Sequence, residues 1–463
     1  MLNTLKIFIT IGFISLLSCD DYLEVPYPSD QLTSETVFGS KSTIDAAILG
    51  VYNSIGGLSS TLLIRNTWLM SDEIEYLTPA SSDLYNLNIG LVLPQNQWVN
   101  DWSTQYVTIY RANAIIEGLK NVSSSVLKDS EKKAFEAEAK YLRAASYFRI
   151  VTSWGGCPLI ISTKLEVNVP RSSVADVYAL IESDLTEASA NLPKTVIQGN
   201  SYRIHNNLQV EALLSRVYLY QGKWDKAEVA ASKVIDAKAF DLLTQPNDVF
   251  KRGSKESIFS LREINTTTLF LNRVWFGWNN LPLNSASGVT LPSLPTVMLA
   301  KFEPNDLRIK EGNWVTTLFN KKFPTKYLHN SAATSTSINA NPQDLILQRL
   351  AEIYLIRAEA RARLNKLDDA KVDLNTIRKR ASLPNSNATT QENLLLAIEN
   401  ERVFELFHEG HRWYDIIRVG KANQIFGSLP NKKDNWKSHL ILWPIIAREL
   451  ESNTALTQNP GYN

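Results

Sequence analysis

The stretch ALLSRVYLYQGKWDKA, residues 212–227, has the layout of two antiparallel helices joined by a tight turn. Small residues fall where the helices would cross, and Tyr218 falls where an aromatic ring would fill the gap beside them. This order is typical of the tetratricopeptide helix pair. A looser copy places Tyr354 on one helix, Asn365 in the turn and Ala370 on the returning helix. Unrelated helix hairpins are the alternative interpretation of this second copy.

Amphipathic helices dominate the chain around these pairs. Apolar residues at helical spacing predict helices over 102–119 and 130–153, and the glycines at 155–156 should end the second one. Stacked helix pairs bury a continuous core and form a rigid scaffold. We therefore predict a mostly α fold whose scaffold covers residues about 42–240 and 342–463.

Residues about 241–341 lose the helical period, and Gly, Pro, Asn, Ser and Thr become frequent there. Short β-prone segments at 257–261 and 269–275 predict strands or hairpins inside this region. Long irregular segments within a helical protein usually carry function. We expect the ligand contacts in this insertion and in the loops of residues 60–100.

The N-terminus is typical of an exported protein. Lys6 precedes an apolar run over residues 7–17, which is shorter than the roughly 20 residues that a membrane-spanning helix needs. The run ends in LLSC, which resembles the bacterial lipobox, where the cysteine thiol receives diacylglycerol. We predict a lipoprotein signal peptide over 1–18 and a tether over 19–40, anchored in the membrane through acyl chains on Cys19. An ordinary secretory signal is the alternative.

Composition narrows the classes of function further. The 463 residues carry 48 Lys and Arg against 47 Asp and Glu, which gives a net charge near +1. Nucleic-acid binding needs a concentrated basic surface, so we expect no nucleic-acid partner. The chain has two cysteines, Cys19 and Cys157. Because processing accounts for Cys19, no intrachain disulfide is expected.

Several motifs, in order along nearly the whole chain, resemble the SusD/RagB family of Bacteroidetes nutrient-uptake lipoproteins. They are EAKYLRAASYF (138–148) with WGG (154–156), ALLSRVYLY (212–220), RLAEIYLIRAEARARL (349–364), LNTIRKRASLP (374–384), ENERVFELFHEGHRWYDIIRVGKA (399–422) and LWPIIARELESNTALTQNPGY (442–462). Two positions depart from the family pattern. Ile446 stands where the family often has proline, and Cys157 stands where it commonly has a β-branched residue.

The resemblance implies a SusD-like, tetratricopeptide-bearing domain over residues 41–463 on the outer face of the outer membrane. It also implies pairing with a SusC-like TonB-dependent β-barrel, over which the lipoprotein closes like a lid. Ligands in this family are usually glycans, bound without cofactor, metal or catalysis. Capture of another nutrient, such as a peptide or glycoconjugate, for the same type of transporter is the second interpretation. A surface lipoprotein without any ligand is the third.

Glu, Arg and His residues cluster over 401–418. His408 and His411 are three residues apart, whereas the zinc-protease helix needs two histidines four apart. Alternating Glu and Arg at helical spacing instead predict ion pairs within and between helices. No sequence signature isolates a pair of acids suited to glycoside hydrolysis, and no GxSxG elbow or phosphate-binding loop occurs. We therefore expect no catalytic residue and no metal ligand.

Sugar capture needs flat aromatic faces for the C–H surfaces of the rings, with amides and charged groups for the hydroxyls. Aromatic residues in polar loops are therefore the candidate ligand contacts, and packing between loops is the alternative for each. The candidates are Tyr85, Asn96, Trp98, Arg273, Trp275, Trp278, Asn279 and Trp314. Tryptophans in helical motifs are expected in the core, namely Trp102, Trp154, Trp224, Trp413 and Trp443.

Overall fold

Helices make up most of the N-terminal half in the computed structural model of the protein. The structure describes residues 34–56, 58–75, 82–92, 101–197, 199, 201–261, 293–318, 320–327 and 343–462. The helices of this half are α1 (Ser34–Phe38), α2 (Lys41–Gly56), α3 (Leu58–Met70), α4 (Ser82–Asn88), α5 (Trp102–Leu119), α6 (Asp129–Trp154), α7 (Val174–Asn191), α8 (Asn207–Tyr220) and α9 (Trp224–Asp236).

Helices α5 and α6 confirm the bounds that the apolar spacing predicts to within one residue. At the start of α6, the carboxylate of Glu131 accepts a hydrogen bond from the backbone N–H of Lys128 at 3.0 Å. This bond satisfies one of the donors that a helix start leaves unpaired. The helix ends where Gly155 adopts a φ of +78°. A Cβ on Gly156 would lie 2.3 Å from the carbonyl oxygen of Ser172, so only glycine fits this turn.

The described part of the insertion contains short strands and turns. Strand β1 (Ser257–Leu261) precedes a one-turn helix, α10 (Thr296–Leu299), and the strands β2 (Val315–Leu318), β3 (Lys321–Pro324) and β4 (Leu345–Arg349). Strand β1 pairs antiparallel with β4, and β2 pairs antiparallel with β3. Strand β1 confirms the prediction at 257–261, whereas the β-prone segment 269–275 lies outside the described residues.

The C-terminal third returns to helices, and β4 runs directly into the first of them. They are α11 (Leu350–Arg363), α12 (Leu367–Arg380), α13 (Gln391–Leu406), α14 (Arg412–Arg418), α15 (Ala422–Phe426) and α16 (Ala447–Ser452). The mostly α prediction is therefore confirmed. Within the described ranges, no helix combines the length and the apolar character that crossing a membrane requires.

The two predicted helix pairs are α8 with α9 and α11 with α12. Gly222 and Asn365 turn the chain between the helices with φ of +69° and +61°, a conformation that glycine and asparagine tolerate best. Ala227 of α9 is fully buried in one cluster with Ile353 and Ala360 of α11. Small residues at this contact let the two pairs pack closely against each other.

Four of the five tryptophans expected in the core are buried there. Trp154 is the centre of an edge-to-face series, with its ring centroid 5.7 Å from that of Trp102 and 5.4 Å from that of Trp443. Trp413 is also fully buried. Trp224 is half-buried, and the guanidinium of Arg363 lies 5.3 Å from its ring centroid.

Candidate functional site

An isolated antiparallel bridge joins Glu75 to Ser293. The backbone N–H of Glu75 donates to the carbonyl of Ser293 at 2.9 Å, and the return bond measures 3.1 Å. Residues 76–81 follow Glu75 and residues 262–292 precede Ser293, and both segments lie outside the described residues. One end of each segment is therefore attached at the same point of the scaffold.

The β1–β4 pair brings the start of the segment 262–292 close to the end of the segment 328–342. Leu261, the last residue of β1, pairs with Leu345 at the start of β4. The segment 262–292 therefore begins beside the strand that follows the segment 328–342, which also lies outside the described residues.

Two more hydrogen bonds join these ends to the β2–β3 hairpin and to Lys326, which follows it. The backbone N–H of Leu294 donates to the carbonyl of Lys322 at 2.8 Å. The side-chain Nε2 of Gln343 donates to the carbonyl of Lys326 at 3.0 Å. We call this region the loop-bearing edge, defined by Glu75, Leu261, Ser293, Lys326 and Gln343. It gathers the attachment points of the segments 76–81, 262–292 and 328–342.

Tyr85 lies half-buried on α4, where it packs against the core. The Nδ2 of Asn88 on the same helix donates to the carbonyls of Leu69 at 3.1 Å and Ile74 at 2.9 Å. These bonds fix α4 to the chain immediately before Glu75. Tyr85 is thus on a helix anchored next to the loop-bearing edge, and its contact with a ligand stays a prediction.

The other predicted ligand contacts, except Trp314, lie outside the described residues, as does the predicted lipidation site. They are Asn96, Trp98, Arg273, Trp275, Trp278, Asn279 and Cys19. Four of them belong to the segment 262–292, whose two ends are both at the loop-bearing edge.

The prediction that Trp314 contacts a ligand is wrong, because Trp314 is a core residue. Its side chain is 1% exposed, and its Nε1 donates to the carbonyl of Pro246 at 2.8 Å. Its ring packs edge-on against Phe250, with centroids 5.7 Å apart. The ammonium of Lys326 lies 4.2 Å from the ring centroid. No face of this ring is open to a sugar.

A buried network of charges lies directly beneath the loop-bearing edge. The Nζ of Lys326 lies 2.7 Å from a carboxylate oxygen of Glu409, and the Nε of Arg349 lies 2.7 Å from the other. Arg349 also reaches Glu405 at 2.5 Å and Glu256 at 2.9 Å. Burial opposes the ionisation of Glu409, but Arg349 and Lys326 lower its pKa to about 2. Burial lowers the pKa of Lys326 to about 8, against the attraction of Glu409.

The same network extends to the turn between α10 and β2 and to the C-terminal helices. Arg308 pairs with Asp306 at 2.7 Å and with Glu401 at 2.6 Å. Arg380 pairs with both Glu256 and Glu405. Each of these side chains is almost completely buried. Because the partners come from the insertion and from α12 and α13, the network fixes the insertion to the helical scaffold.

The predicted ion pairs of the 401–418 cluster are confirmed. Besides the Glu401, Glu405 and Glu409 contacts, Arg402 pairs with Asp415 at 2.8 Å, and Arg418 pairs with Glu359 at 2.7 Å. Both histidines of the cluster are buried. Burial lowers the pKa of His408 to about 3 and that of His411 to about 4, so both rings are neutral at physiological pH.

In the part of the chain that the structure describes, no three or more His, Cys, Asp and Glu side chains are grouped to hold a metal ion. The remaining thiol, Cys157, is buried, and burial raises its pKa to about 12.

Comparison with known proteins gives a consistent result over both halves of the chain. The profile of the SusD family matches residues 303–462. A second profile, described as starch-binding associating with outer membrane, matches residues 21–219. Together the two profiles cover well over half of the chain.

Individual relatives agree with the profiles. SusD-like protein P38 from Formosa agariphila is 26% identical over 99% of this chain and 98% of its own length. A SusD superfamily protein from Parabacteroides distasonis shares the fold, with a TM-score of 0.78 and 21% identity over 93% of this chain and the whole of that chain. A laminarin-binding SusD-like protein is 25% identical with a TM-score of 0.74, over 91% of this chain and all of its own. On these matches, together with the helix pairs described above, the chain belongs to the SusD/RagB family.

Proposed function

We propose that this protein is a non-catalytic lipoprotein of the outer membrane that binds an oligosaccharide or polysaccharide and delivers it to a SusC-like TonB-dependent transporter. The signal peptide over 1–18 is removed, acyl chains on Cys19 hold the protein on the extracellular side, and the tether over 19–40 leads to the glycan-binding domain over 41–463. The observation that carries the proposal is the similarity to SusD-like proteins along nearly the whole chain, one of which is named for laminarin binding.

The scaffold supports a binding site at the loop-bearing edge. Ion pairs and backbone bonds hold this edge rigidly, and rigid attachment lowers the entropy lost when loops close on a ligand. The segment 262–292 adds Trp275 and Trp278 with Arg273 and Asn279, which is the side-chain chemistry that sugar rings require. Trp98 with Asn96, and Tyr85 on α4, are the further candidates for contact.

Binding without catalysis is supported by the state of the buried carboxylates beneath this edge. A glycosidase needs one protonated and one ionised carboxyl facing the sugar. In the described network, Glu256, Glu401, Glu405 and Glu409 are each held by arginine or lysine and are closed to solvent. They are suited to holding the fold together and not to donating a proton to a leaving group.

Affinity gel electrophoresis against a panel of polysaccharides tests the proposal. We expect one class of glycan to retard the purified protein, and retardation should be unchanged by Tyr110→Ala, which removes an exposed ring from helix α5. Retardation by none of the glycans, together with calorimetric binding of a peptide, would favour the second interpretation.

Co-purification tests the proposed partner. A tagged protein extracted in mild detergent from its native membrane should bring down a TonB-dependent barrel in a stoichiometric amount. Recovery of the lipoprotein alone at every detergent concentration would argue against a stable complex.

A further inference from the structure

The loop between α6 and α7 exposes three large apolar side chains. Ile161, Leu165 and Val167 are 60%, 85% and 75% exposed. A single exposed leucine or valine is common on a protein surface, but neighbouring ones form an apolar patch, and such patches often mark a contact with a partner or a membrane. We call residues 161–167 the apolar loop. It shares no residue with the loop-bearing edge.

Hydrogen bonds fix the backbone on both sides of the apolar loop to the helical scaffold. Before it, the carbonyl of Ile160 accepts from Nδ2 of Asn113 on α5 at 3.0 Å. After it, the carbonyl of Val169 accepts from Nδ2 of Asn453 at 2.8 Å. The scaffold therefore presents the three apolar side chains outward from a held backbone.

The apolar loop lies beside α1, the first described element of the chain. The carboxylate of Glu117 accepts from the backbone N–H of Thr163 at 3.0 Å and also from its hydroxyl. The next residue, Gly118, packs against the ring of Phe38 in α1 so closely that a Cβ on this glycine would overlap the ring. Adjacent residues at the end of α5 thus contact the apolar loop and the point where the tether enters the domain.

The tether limits how far this point can lie from the membrane. Residues 19–33 separate the proposed acylated cysteine from α1. Even a fully extended chain of this length spans at most about 54 Å, at about 3.6 Å per residue. The anchor therefore keeps α1, and the apolar loop with it, in the part of the domain nearest to the lipid.

The charges around the apolar loop are mixed. Lys164 within the loop and Lys120 after α5 are both exposed, and exposed lysines are attracted to anionic headgroups. Glu166 in the loop is also exposed and opposes this attraction. The apolar side chains must therefore supply most of the affinity for a lipid surface.

We propose that the apolar loop inserts Ile161, Leu165 and Val167 into the interfacial region of the outer membrane and so orients the domain on the bilayer. This inference rests on the proposed anchor at Cys19. Apolar side chains of surface-bound proteins enter about 5–10 Å into the boundary between headgroups and acyl chains. Three side chains bind weakly by themselves, so the contact orients a protein that the acyl chains hold and does not replace them.

Quenching by spin-labelled lipids tests this contact in the lipidated full-length protein. Val167→Cys and Val372→Cys each carry an environment-sensitive dye, and the protein is reconstituted into vesicles of phosphatidylcholine and phosphatidylglycerol that contain doxyl-labelled phosphatidylcholine. Val372 is the matched control, because it is a valine on α12 with 64% exposure. The wild type measures any labelling of the buried Cys157. We expect the doxyl lipid to quench the Val167→Cys dye several-fold more strongly than the Val372→Cys dye.

Each other outcome contradicts the proposal in a distinguishable way. Vesicles that float with the protein but quench neither dye would keep the anchor and overturn the contact of the loop with lipid. A Val167→Cys dye that changes its emission only when a TonB-dependent barrel is added would assign the apolar loop to the transporter instead. Protein that does not float with the vesicles would overturn the anchor and this inference together.

A second set of variants separates insertion from mere closeness to the tether. The dye is placed on Ile161→Cys, with or without Leu165→Ser and Val167→Ser in the same chain. Both serines replace exposed side chains, so the Tm should stay the same while lipid quenching of the dye falls. Val372→Ser in place of the loop serines should leave the quenching unchanged. Equal quenching with and without the loop serines would show that these apolar side chains do not insert.

Discussion

Lys326 and Glu409 form an ion pair of 2.7 Å in which the side chains are 0% and 2% exposed. Lys326 follows the β2–β3 hairpin of the insertion, whereas Glu409 lies between α13 and α14 of the scaffold. The ammonium also donates to the carbonyl of Glu405 at 2.7 Å. This pair fixes the loop-bearing edge to the C-terminal helices.

Lys326→Met should therefore lower the free energy of unfolding by about 3–5 kcal/mol, because it removes one partner of a buried pair. Lys322→Met is the matched control from the same hairpin. Lys322 is 30% exposed and lies 3.7 Å from Glu311, so its loss should cost less than about 1 kcal/mol. Urea unfolding of both variants measures the difference. Equal losses would show that the buried pair does not fix the edge.

Glu73 should make stability depend on pH. Burial, with Asp72 nearby, raises the pKa of Glu73 to about 8. Between about pH 4.5 and 8 the unfolded carboxyl is ionised while the folded one keeps its proton, so the wild type loses stability as the pH rises. Glu73→Gln lacks this titration, and its Tm relative to the wild type should rise from pH 5 to pH 8. A constant difference across this pH range would mean that the Glu73 carboxyl is ionised in the fold.

Two kinds of tryptophan substitution should separate stability from binding. Trp314→Ala removes a buried ring and should cost about 3–5 kcal/mol of unfolding free energy. Trp275→Ala combined with Trp278→Ala should abolish retardation by the cognate glycan and leave the Tm within a few degrees. Affinity electrophoresis and thermal unfolding of both proteins check this. Full binding by the double variant would exclude these two rings as the platform.

Cys19→Ala tests the anchor. Without its acyl chains the protein should move from the membrane fraction to the soluble fraction, because buried acyl methylenes supply the membrane affinity. Fractionation with an immunoblot measures the change. Cys157→Ala serves as the control, since that thiol is buried within the fold. An unchanged distribution of Cys19→Ala would exclude lipidation at this residue as the anchor.

Periodicity along the chain was sufficient to predict helices α5 and α6. The bounds of α5 and α6 follow from apolar spacing and from the glycines at 155–156, and both are local signals. The small residues of the two helix pairs similarly identify their crossing. These features depend on residues within a few turns of each other, which is the range over which sequence patterns are informative.

Long-range contacts could not be predicted in the same way. Alternating Glu and Arg over 401–418 indicated ion pairs, but two of the buried partners, Arg308 and Lys326, come from the insertion, where no period exists. Lys326 has no feature in the sequence that separates it from Lys321 and Lys322. Trp314 follows Gly312 and Asn313, which suggested an exposed turn. Its burial results from the charge network and from Phe250, both distant in the sequence.

The most direct test of the account is to incubate the purified protein with the glycan that retards it and to measure binding and new reducing ends in the same sample. We expect saturable calorimetric binding in a metal-free buffer, with the chain length of the glycan unchanged after prolonged incubation. Release of shorter saccharides by the pure protein would contradict the account, because capture without bond cleavage is its central claim.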